Sequence, residues 1–421
     1  MFPSEASFST SFCLGCKMFL EVFMDSLQLL DDLYYVGCVD HGLKVFDSIM
    51  PLEYGTSYNS YLLKTKEGCV LFEGNKADFA EEYLAHISSI ADLKDISYLV
   101  VAHTEPDHSG AIEALLKKNP NIVVIASPSG INNLKSILRF PFKAAPMTPG
   151  KEMKVGQYTL KFYSGLFLHW PDVLFTYIPE LKTLVSCDAF GTHYAFDEIL
   201  LSKVTNWEEY RASFDYYFDC IMAPFAPYAI QAVDRVRGLE IERILPGHGP
   251  VVDCKVPEVL NAFEEDAKKN LTSLEPSKVT LVFTSCYRYT KQMAAYVIEE
   301  LRKAGKEVSC FEIDALNYAS LKPEILESIR SSSLVLFGTP TLVNDAVNLF
   351  YDLLISKTIP FFAGKKFAAF GDYGWSGEGV KNLSEFAATR KMKVSEGFRW
   401  SFKVDGECEK AMSDWVQNLL V

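Results

Sequence analysis

The sequence lacks the features that would place it with membrane proteins or nucleic-acid-binding proteins. No apolar run is long enough to span a membrane, and Lys and Arg form no basic cluster. The formal net charge of −13 disfavours binding to nucleic acid or to an anionic membrane surface, because like charges repel. We therefore expect no nucleic-acid partner and no membrane association.

The chain also lacks a recognisable targeting segment and a disulfide framework. Residues 1–28 carry neither the basic face of a transit peptide nor the basic start and long apolar core of a secretory signal, so we expect a poorly ordered extension. Ten cysteines are scattered over 421 residues, and the single Cys-x-x-Cys, Cys13 with Cys16, has no second pair at metal-binding spacing. This cysteine usage predicts a reduced, cytoplasmic protein.

The patterns that are present predict two α/β domains. Residues 30–262 alternate strand-like runs with helical stretches and include predicted hairpins at 58–74 and 173–191. A polar helix and a linker follow, with a boundary near 274–277, and apolar strands then alternate with helices. That alternation predicts a doubly wound parallel sheet. We predict domains at 29–274 and 277–421.

Potential metal ligands are concentrated at the ends of predicted strands in the first domain. The stretch "HTEPDHSG" follows an apolar run, and more His and Asp residues stand in "LHWPD", "CDAFG" and "PGHG". A single His is most often an ordinary polar residue, as we expect for His41 and His86, but strand ends can bring several side chains to one metal. The predicted ligands are His103, Glu105, Asp107, His108, His169, Asp188 and His248.

This arrangement resembles the metallo-β-lactamase superfamily, which implies two metal sites, and the types of these ligands favour iron over zinc. Three carboxylates accompany four imidazoles, and so much anionic oxygen suits a hard, redox-active metal. Asp188 has two oxygens and can bridge two ions. Glu105 does not decide the metal by itself, because metal availability and surrounding contacts also contribute. A zinc-dependent hydrolase that attacks an ester, a thioester or a phosphodiester therefore remains an alternative.

Three loops of the second domain follow apolar strands and predict a ligand site at the carboxyl edge of the sheet. Hydroxyl groups and loop amides in front of a helix suit a phosphate, and Tyr373 and Trp375 among glycines suit a flat ring. The chain lacks a dinucleotide glycine fingerprint and a Walker lysine, which disfavours a dinucleotide or a nucleoside triphosphate. FMN is the predicted ligand. The alternative is a capped helix beside ordinary surface loops.

The order of these motifs resembles the flavodiiron proteins (A-type flavoproteins). The resemblance rests on "HTEPDHSG", "LHWPD", "CDAFGTH", "PGHG", "GTPT" and "FGDYGWSGE" and runs from about residue 30 onwards. It implies an N-terminal metallo-β-lactamase-like αββα sandwich followed by a flavodoxin-like doubly wound parallel sheet. It also implies an oxidoreductase that reduces dioxygen to water, nitric oxide to nitrous oxide, or both.

The resemblance further implies which residues hold each cofactor. One iron would take His103, Glu105 and His169, the other would take Asp107, His108 and His248, and Asp188 would bridge them. The implied FMN contacts are Thr284, Ser285, Cys286, Tyr287, Arg288, Tyr289, Thr290, Thr339, Pro340, Thr341, Leu342, Asn344, Asp372, Tyr373, Gly374, Trp375 and Gly377.

Partners are implied by the same resemblance. Its members are head-to-tail dimers, so we expect a homodimer or a dimer of dimers in which the FMN of one chain serves the diiron site of the other. No rubredoxin module or flavin-reductase domain follows, so we expect a separate electron donor: rubredoxin, a flavin reductase or a reduced cofactor. Dioxygen is the expected substrate. Nitric oxide reduction as the main activity, and an electron carrier with a degenerate metal site, stay as alternatives.

The chain departs from the pattern of that family at two places. Arg288 and Tyr289 stand where relatives commonly carry small or polar residues, and Arg288 either adds a charged phosphate contact or crowds the site. Phe46-Asp47-Ser48 replaces a frequent Phe-His-Gly near the metal site, which bears on proton delivery or gas preference. We expect His193 to lie beside the metals without binding them.

Overall fold

The computed structural model describes residues 27–271 and 274–420. The predicted extension at 1–28, with Cys13 and Cys16, lies outside these ranges except for its last two residues, and Gln28 already begins the first strand. Among the described residues, no helix is both long enough and apolar enough to cross a membrane.

The chain divides into two compact units. The first holds the residues up to Phe218 together with Tyr228–Glu264, and the second holds Asp219–Pro227 together with the residues from Glu265 onwards. Helix α7 (Val256–Asn270) contributes residues to both units, whereas the sequence predicted one boundary near 274–277. The ranges 29–274 and 277–421 remain a proposal about domains.

The first unit contains two main β-sheets and two short ribbons. Its strands are β1 (Gln28–Leu30), β2 (Leu33–Tyr35), β3 (Cys38–Asp40), β4 (Val45–Phe46), β5 (Met50–Pro51), β6 (Thr56–Tyr58), β7 (Tyr61–Thr65), β8 (Gly68–Phe72), β9 (Ile96–Val100), β10 (Val123–Ala126), β11 (Lys143–Pro146), β12 (Glu152–Val155), β13 (Tyr158–Ser164), β14 (Leu174–Ile178), β15 (Thr183–Cys187) and β16 (Arg243–Pro246). Both predicted hairpins are confirmed, as the antiparallel pairs β7–β8 and β14–β15.

The order of strands gives each sheet a mixed topology. One sheet runs β1-β2-β7-β8-β9-β10-β11, and its last three pairings are parallel. The other runs β12-β13-β14-β15-β16, and only its last pairing is parallel. Strands β3–β6 and β4–β5 form the ribbons. The loops that follow β9, β15 and β16 carry most of the predicted metal ligands.

Helices cover the sheets of the first unit. They are α1 (Ala80–Ile90), α2 (Pro106–Ser109), α3 (Ile112–Lys118), α4 (Pro128–Leu138), α5 (Trp207–Tyr217), α6 (Ala226–Val236) and α7, whose bounds are given above. Strand β8 shows how the sequence directs the packing, because its side chains alternate between two apolar clusters. Leu71 packs with Leu115 of α3, while Val70 and Phe72 pack with Phe162 of the second sheet. This arrangement is the αββα sandwich that the resemblance implied.

The second unit contains one parallel sheet with helices on both faces. Its elements are β17 (Glu275–Phe283), α8 (Tyr289–Lys303), β18 (Glu307–Glu312), α9 (Tyr318–Ser331), β19 (Ser332–Gly338), α10 (Asn348–Ile355), α11 (Ile359–Phe362), β20 (Lys366–Tyr373), α12 (Glu378–Thr389), β21 (Lys393–Val394), β22 (Phe398–Ser401) and α13 (Gly406–Leu420). The order is β18-β17-β19-β20, with β21 and β22 both beside β20. All of these pairings are parallel, so the predicted doubly wound sheet is confirmed.

Candidate functional site

The loop after β9 delivers the first group of predicted metal ligands. His103 follows the strand at full burial, and Glu105 is the residue in front of the one-turn helix α2. Pro106 opens that helix, a position where its missing N–H costs nothing. Asp107 and His108 lie within the turn and are buried. The end of β9 and the tight turn after it thus present four ligand-type side chains within six residues.

The fold brings all seven predicted ligands together in two adjoining groups. His103, Glu105, His169 and Asp188 have ligand atoms within 4.8 Å of one another, and so do Asp107, His108 and His248. The two groups have the membership that the resemblance implied for the two irons. The site is mostly buried, since every member except Glu105 and His169 is at most 9% exposed.

Asp188 stands between the groups and offers one oxygen to each. Its Oδ2 lies 2.9 Å from Nε2 of His169 and 3.7 Å from Nε2 of His103. Its Oδ1 lies 2.9 Å from Nε2 of His108 and 3.5 Å from Nε2 of His248. A carboxylate with this orientation can join two metal ions.

The cluster is rich in negative charge. Burial alone would raise the pKa of the Glu105 carboxyl, but hydrogen bonds from His103 and His169 lower that pKa to about 2. Burial likewise opposes the shift at Asp107, where the nearby rings of His108 and His248 lower the pKa to about 2. The pKa of His169 rises to about 10 against the effect of burial, because Asp188 and Glu105 hydrogen-bond to the ring. The site therefore stabilises positive charge on whatever occupies it.

The donor set fits metal ions. Both carboxylate oxygens of Asp107, Oδ1 of Asp188 and Nε2 of His108 are buried. They lie close to one another and to His248, but within the described residues none of them makes a hydrogen bond of suitable geometry. Buried polar atoms are normally paired, so this many unpaired ligand atoms facing one point indicates a cation. Imidazole nitrogen with carboxylate oxygen is the donor set of non-haem iron sites.

Asp172 is a candidate functional residue that the sequence motifs did not indicate. Its Oδ1 accepts a hydrogen bond from Nδ1 of His103 at 3.1 Å, which turns Nε2 toward the cluster. Its Oδ2 accepts hydrogen bonds from the Thr104 amide at 2.9 Å and from the Thr104 hydroxyl at 2.5 Å. A carboxylate behind a histidine is the usual support of a metal-binding ring. The signal was its place in "LHWPD", three residues after His169.

His248 is held in the same way, by the backbone. Its Nδ1 donates to the carbonyl oxygen of Ser57 at 2.6 Å, which leaves Nε2 for the cluster. His193 lies beside this ring, with centroids 4.8 Å apart, and belongs to neither ligand group. The hydroxyl of Thr56 lies 2.8 Å from Nδ1 of His193. The structure thus puts His193 next to the predicted ligands and not among them.

A cavity of about 380 Å³ opens next to the cluster. Its walls include Phe46, Asp47, Tyr58, Glu105 and Asp107. Burial, followed by the charges of Glu105 and Asp107, raises the pKa of the Asp47 carboxyl. Asp47 therefore lines the cavity through which a small molecule could reach the predicted ligands.

The three predicted FMN loops meet at the carboxyl edge of the parallel sheet. The Thr290 hydroxyl donates to the carboxylate of Asp372, which joins the first loop to the third. The Thr341 amide donates to the carbonyl oxygen of Asp372 at 2.9 Å, which joins the second loop to the third. Ser285 Oγ accepts the Lys291 amide at 3.2 Å at the start of α8. These contacts bring hydroxyl groups and a helix N-terminus to one place.

The remaining predicted FMN residues lie in the same three loops or at their ends, and their environments differ. Tyr287 and Trp375 are 79% and 83% exposed, so their rings are free to cover a flat ligand. The Thr284 amide pairs with the Gly338 carbonyl oxygen and continues the sheet. The other positions, Cys286, Thr339, Pro340, Leu342, Asn344, Tyr373, Gly374 and Gly377, lie in the same three loops or at their ends.

At these loops, the sequence left the role of Arg288 open and did not indicate Phe402. Arg288 is the residue in front of α8 and adopts a left-handed backbone conformation with φ of 70°. Phe402, which the sequence analysis missed, is 55% exposed, and its ring lies 6.5 Å from that of Tyr289. The signal was one more aromatic residue directly after β22. Exposed rings, hydroxyls and a helix N-terminus fit a flavin with a phosphate.

A non-haem metal centre in an αββα sandwich and a flavin-type edge on a parallel sheet define a class: diiron flavoprotein oxidoreductases. Comparison with known proteins agrees with this class. A family model described as ODP family beta lactamase matches residues 56–249. A second, described as Flavodoxin, matches residues 281–415.

Relatives of known family cover most of the chain. Type A flavoprotein fprA of Rhodobacter capsulatus is 32% identical over 86% of this chain and 83% of its own length. Flavo-diiron protein FprA2 of Clostridium acetobutylicum is 32% identical over 90% of this chain and 95% of its own. Among solved structures, rubredoxin oxygen:oxidoreductase from Desulfovibrio gigas matches with a TM-score of 0.66 and 25% identity, covering 94% of this chain and 98% of that one.

The chain belongs to the flavodiiron (type A flavoprotein) family. It is an oxidoreductase whose cofactors are FMN and a diiron centre. Both the expected family and the expected cofactors are confirmed, and membership of this family removes the support for a zinc-dependent hydrolase.

Proposed function

We propose that this protein reduces dioxygen to water at a diiron centre, with electrons that arrive through FMN from a separate donor. The observation that carries the proposal is the convergence of seven ligand-type side chains with buried, unpaired ligand atoms. The dioxygen assignment is supported by the name of the similar rubredoxin oxygen:oxidoreductase. Reduction of nitric oxide to nitrous oxide is the alternative activity of the same site.

In this proposal one iron would be held by His103, Glu105 and His169, and the other by Asp107, His108 and His248. Asp188 would join them, which the separate positions of Oδ1 and Oδ2 support. When bound, the iron pair supplies adjacent redox-active Lewis acids, and FMN supplies electrons one at a time.

The side chains around the ligands keep the site in one geometry. Asp172 fixes the ring of His103, and the Ser57 carbonyl fixes the ring of His248, so neither ring needs to reorganise when the oxidation state changes. The carboxylates of Glu105, Asp107 and Asp188 balance the charge of two iron ions in a buried place. Phe46 and Tyr58 give the adjoining cavity an apolar wall that a small uncharged gas can enter.

Water formation also needs protons, and Asp47 is our candidate for their delivery. Each dioxygen takes up four electrons and four protons to give two waters. Asp47 lines the cavity beside Glu105 and Asp107, and burial raises the pKa of its carboxyl, so it holds a proton more readily than an exposed aspartate. We propose Asp47 as a proton carrier at the entrance.

The FMN would be held by the loops at 284–290, 339–344 and 372–377, with its phosphate at the N-terminus of α8. Thr290 and Ser285 supply hydroxyls there, and Trp375 and Tyr287 supply exposed rings. The donor is proposed to be rubredoxin, a flavin reductase or a reduced cofactor. Because family resemblance implies a head-to-tail homodimer or a dimer of dimers, we propose that the FMN of one chain serves the diiron centre of its partner.

Gas consumption by the pre-reduced protein tests the proposal. Dioxygen and nitric oxide are followed in separate runs that start anaerobically with the same electron source, and iron-depleted protein with bound FMN is the control. Fast dioxygen loss without peroxide, and slow nitric oxide loss, is the expected result. The reverse pattern would make the protein a nitric oxide reductase. If an iron-loaded, FMN-loaded sample consumes neither gas, the proposed function is wrong.

A further inference from the structure

A second cluster of metal-ligating side chains lies in the first unit, outside the seven residues described above. Cys38, Glu82 and His86 have ligand atoms that all lie within 4.8 Å of one another. Glu82 and His86 stand one turn apart on α1, so they project from the same side of that helix. Cys38 is the first residue of β3 and reaches them from a different element.

His86 has the orientation of a metal-binding histidine. Its Nδ1 donates to the carbonyl oxygen of Gly37 at 2.9 Å. A neutral ring with its proton on Nδ1 carries a free lone pair on Nε2, and a backbone carbonyl behind the ring is a common support for metal-binding histidines. Nε2 lies 4.0 Å from Oε1 of Glu82, on the side of the cluster.

Cys38 completes a donor set of one sulfur, one nitrogen and one oxygen. The residue is 1% exposed, so its sulfur is shielded from solvent oxidants. Burial, and next the charge of Glu82, raises the pKa of the Cys38 thiol. A divalent cation between the thiol and the carboxylate would reverse both effects, because it favours the charged forms of both groups.

We propose that Cys38, Glu82 and His86 bind a Zn²⁺ ion at a second metal site, separate from the diiron centre. Zn²⁺ takes sulfur, imidazole and carboxylate donors in a tetrahedral arrangement. Nitrogen and oxygen ligands of such an ion lie about 3.3 Å apart. The Glu82 side chain is 43% exposed and can close the 4.0 Å separation by a small rotation. Its exposed side leaves room for water as the fourth ligand.

Binding of Zn²⁺ would release one proton from the site. The S–H bond of Cys38 breaks, its thiolate sulfur binds Zn²⁺, and the proton leaves to solvent. The carboxylate of Glu82 and the neutral ring of His86 bind without further proton loss, so the site gains one positive charge overall.

The ion would tie helix α1 to the ribbon beside the diiron ligands. Cys38 is the β-partner of Tyr58 in the β3–β6 ribbon. The ring of Tyr58 lies 5.9 Å from that of His248, and Tyr58 also lines the cavity at the metal centre. The zinc site would therefore steady one wall of the reaction site without taking part in the reaction.

Metal counting on the full chain tests this proposal. Protein loaded with iron and FMN is equilibrated with Zn²⁺ alone, freed of unbound metal, and analysed for zinc and iron per chain. The expected result is one zinc per chain with unchanged iron. Cys38→Ser and His86→Ala should weaken zinc binding by about tenfold or more. Cys69→Ser is the matched control, because Cys69 is buried in the same apolar cluster but lies outside the ligand set, and it should keep its zinc.

Cobalt provides a spectroscopic check. Co²⁺ bound by a thiolate gives an intense near-ultraviolet sulfur-to-metal absorption, which we expect in the parent and in Cys69→Ser but not in Cys38→Ser. If Cys38→Ser does not fold, Glu82→Gln at the partly exposed ligand should still lower zinc affinity. The proposal is overturned if the parent binds no zinc, if zinc enters only as iron is lost, or if both Cys38→Ser and Glu82→Gln bind zinc like the parent.

Discussion

The two units of this chain treat buried charge in different ways. In the described part of the first unit, Glu73, Asp107, Asp172 and Asp188 are buried and no Lys or Arg is. In the second unit Lys365 is fully buried, and its Nζ donates to the carbonyl oxygens of Arg330 at 2.7 Å and of Ser332 at 3.5 Å.

The difference shows what each unit needs from outside the chain. Asp107 and Asp188 of the first unit face histidine rings, and no described Lys or Arg is buried with them, so bound metal ions would balance their charge. The second unit satisfies its buried lysine with backbone oxygens, and its ligand loops lie at an exposed edge. We therefore expect substitution of a metal-binding side chain in the first unit to abolish activity. Substitution of one FMN-loop residue in the second unit should only weaken FMN binding.

The largest expected effect is the loss of an iron ligand. His169→Ala or Asp188→Ala should lower gas consumption more than about a hundredfold. His169 is a proposed ligand of one iron, and Asp188 faces both ligand groups. FMN should stay bound, since its loops belong to the other unit. Gas electrodes and the flavin absorbance measure both quantities on one sample.

His41→Ala is the control for that experiment. His41 is an exposed histidine whose ring lies 2.6 Å from Asp197, and it belongs to neither ligand group. It should leave both gas consumption and iron content unchanged. Full turnover in an iron-free His169→Ala sample would contradict the role given to the ligands.

A smaller effect is expected when the hydrogen bond from His103 to Asp172 is weakened. Asp172→Asn keeps the shape of the side chain but loses the charge that holds the ring of His103. We expect iron affinity and activity to fall about 10–100-fold. Iron retained after graded chelator treatment, compared with the parent, measures the change.

Asp253→Asn is matched to Asp172→Asn. Asp253 also accepts a backbone amide and a hydroxyl, those of Ser202 at 2.9 and 2.6 Å, but it stands on the surface away from the cluster. It should retain iron like the parent. Equal iron loss from both variants would mean that Asp172 acts through general stability and not through His103.

A substitution in an FMN loop of the second unit should have a milder effect. Trp375→Ala removes an 83% exposed ring from the third FMN loop and should weaken FMN binding about tenfold, the order expected from lost stacking. Iron content should not change. Titration of FMN-free protein with FMN, followed by flavin fluorescence, gives the dissociation constant. Val394→Ala, at the amino end of the sheet, serves as control. FMN binding that is unaffected by Trp375→Ala would exclude this ring from the site.

The smallest effect concerns Lys365. Burial, and next the charge of Arg330, lowers its pKa to about 8, below the ordinary 10.5. Between these values the unfolded chain binds more protons than the folded chain, so this contribution to stability rises with pH from about 8 to 10.5.

Lys365→Met should remove that contribution. The stability of the parent relative to the variant should then increase across this window by an amount on the order of 1 kcal/mol. Urea unfolding at several pH values measures the difference between the two proteins. A difference that stays flat, or falls as pH rises, would show that Lys365 is charged in the folded protein throughout.

The sequence alone predicted much of the fold because its signals are local. Two short apolar runs, β7 and β8, stand on either side of a turn and define a hairpin within one short stretch. Apolar strands separated by helices define the parallel sheet. The start of β17 was harder to predict, because the polar residues from Glu275 onwards are typical of a loop, although Glu275 pairs with Ser332 and already belongs to the strand.

Residue types also determined the chemistry of the metal centre, because His, Asp and Glu are metal-binding residues and several of them stand at strand ends. Tertiary structure alone decided how they meet. Only the fold shows that Asp188 turns one oxygen to each group and that Asp172 stands behind His103. Only the fold brings Cys38 to Glu82 and His86, residues that look unremarkable along the chain. The physical reason is that coordination depends on distances of a few ångströms between atoms, and sequence separation does not fix those distances until the sheets have paired and packed.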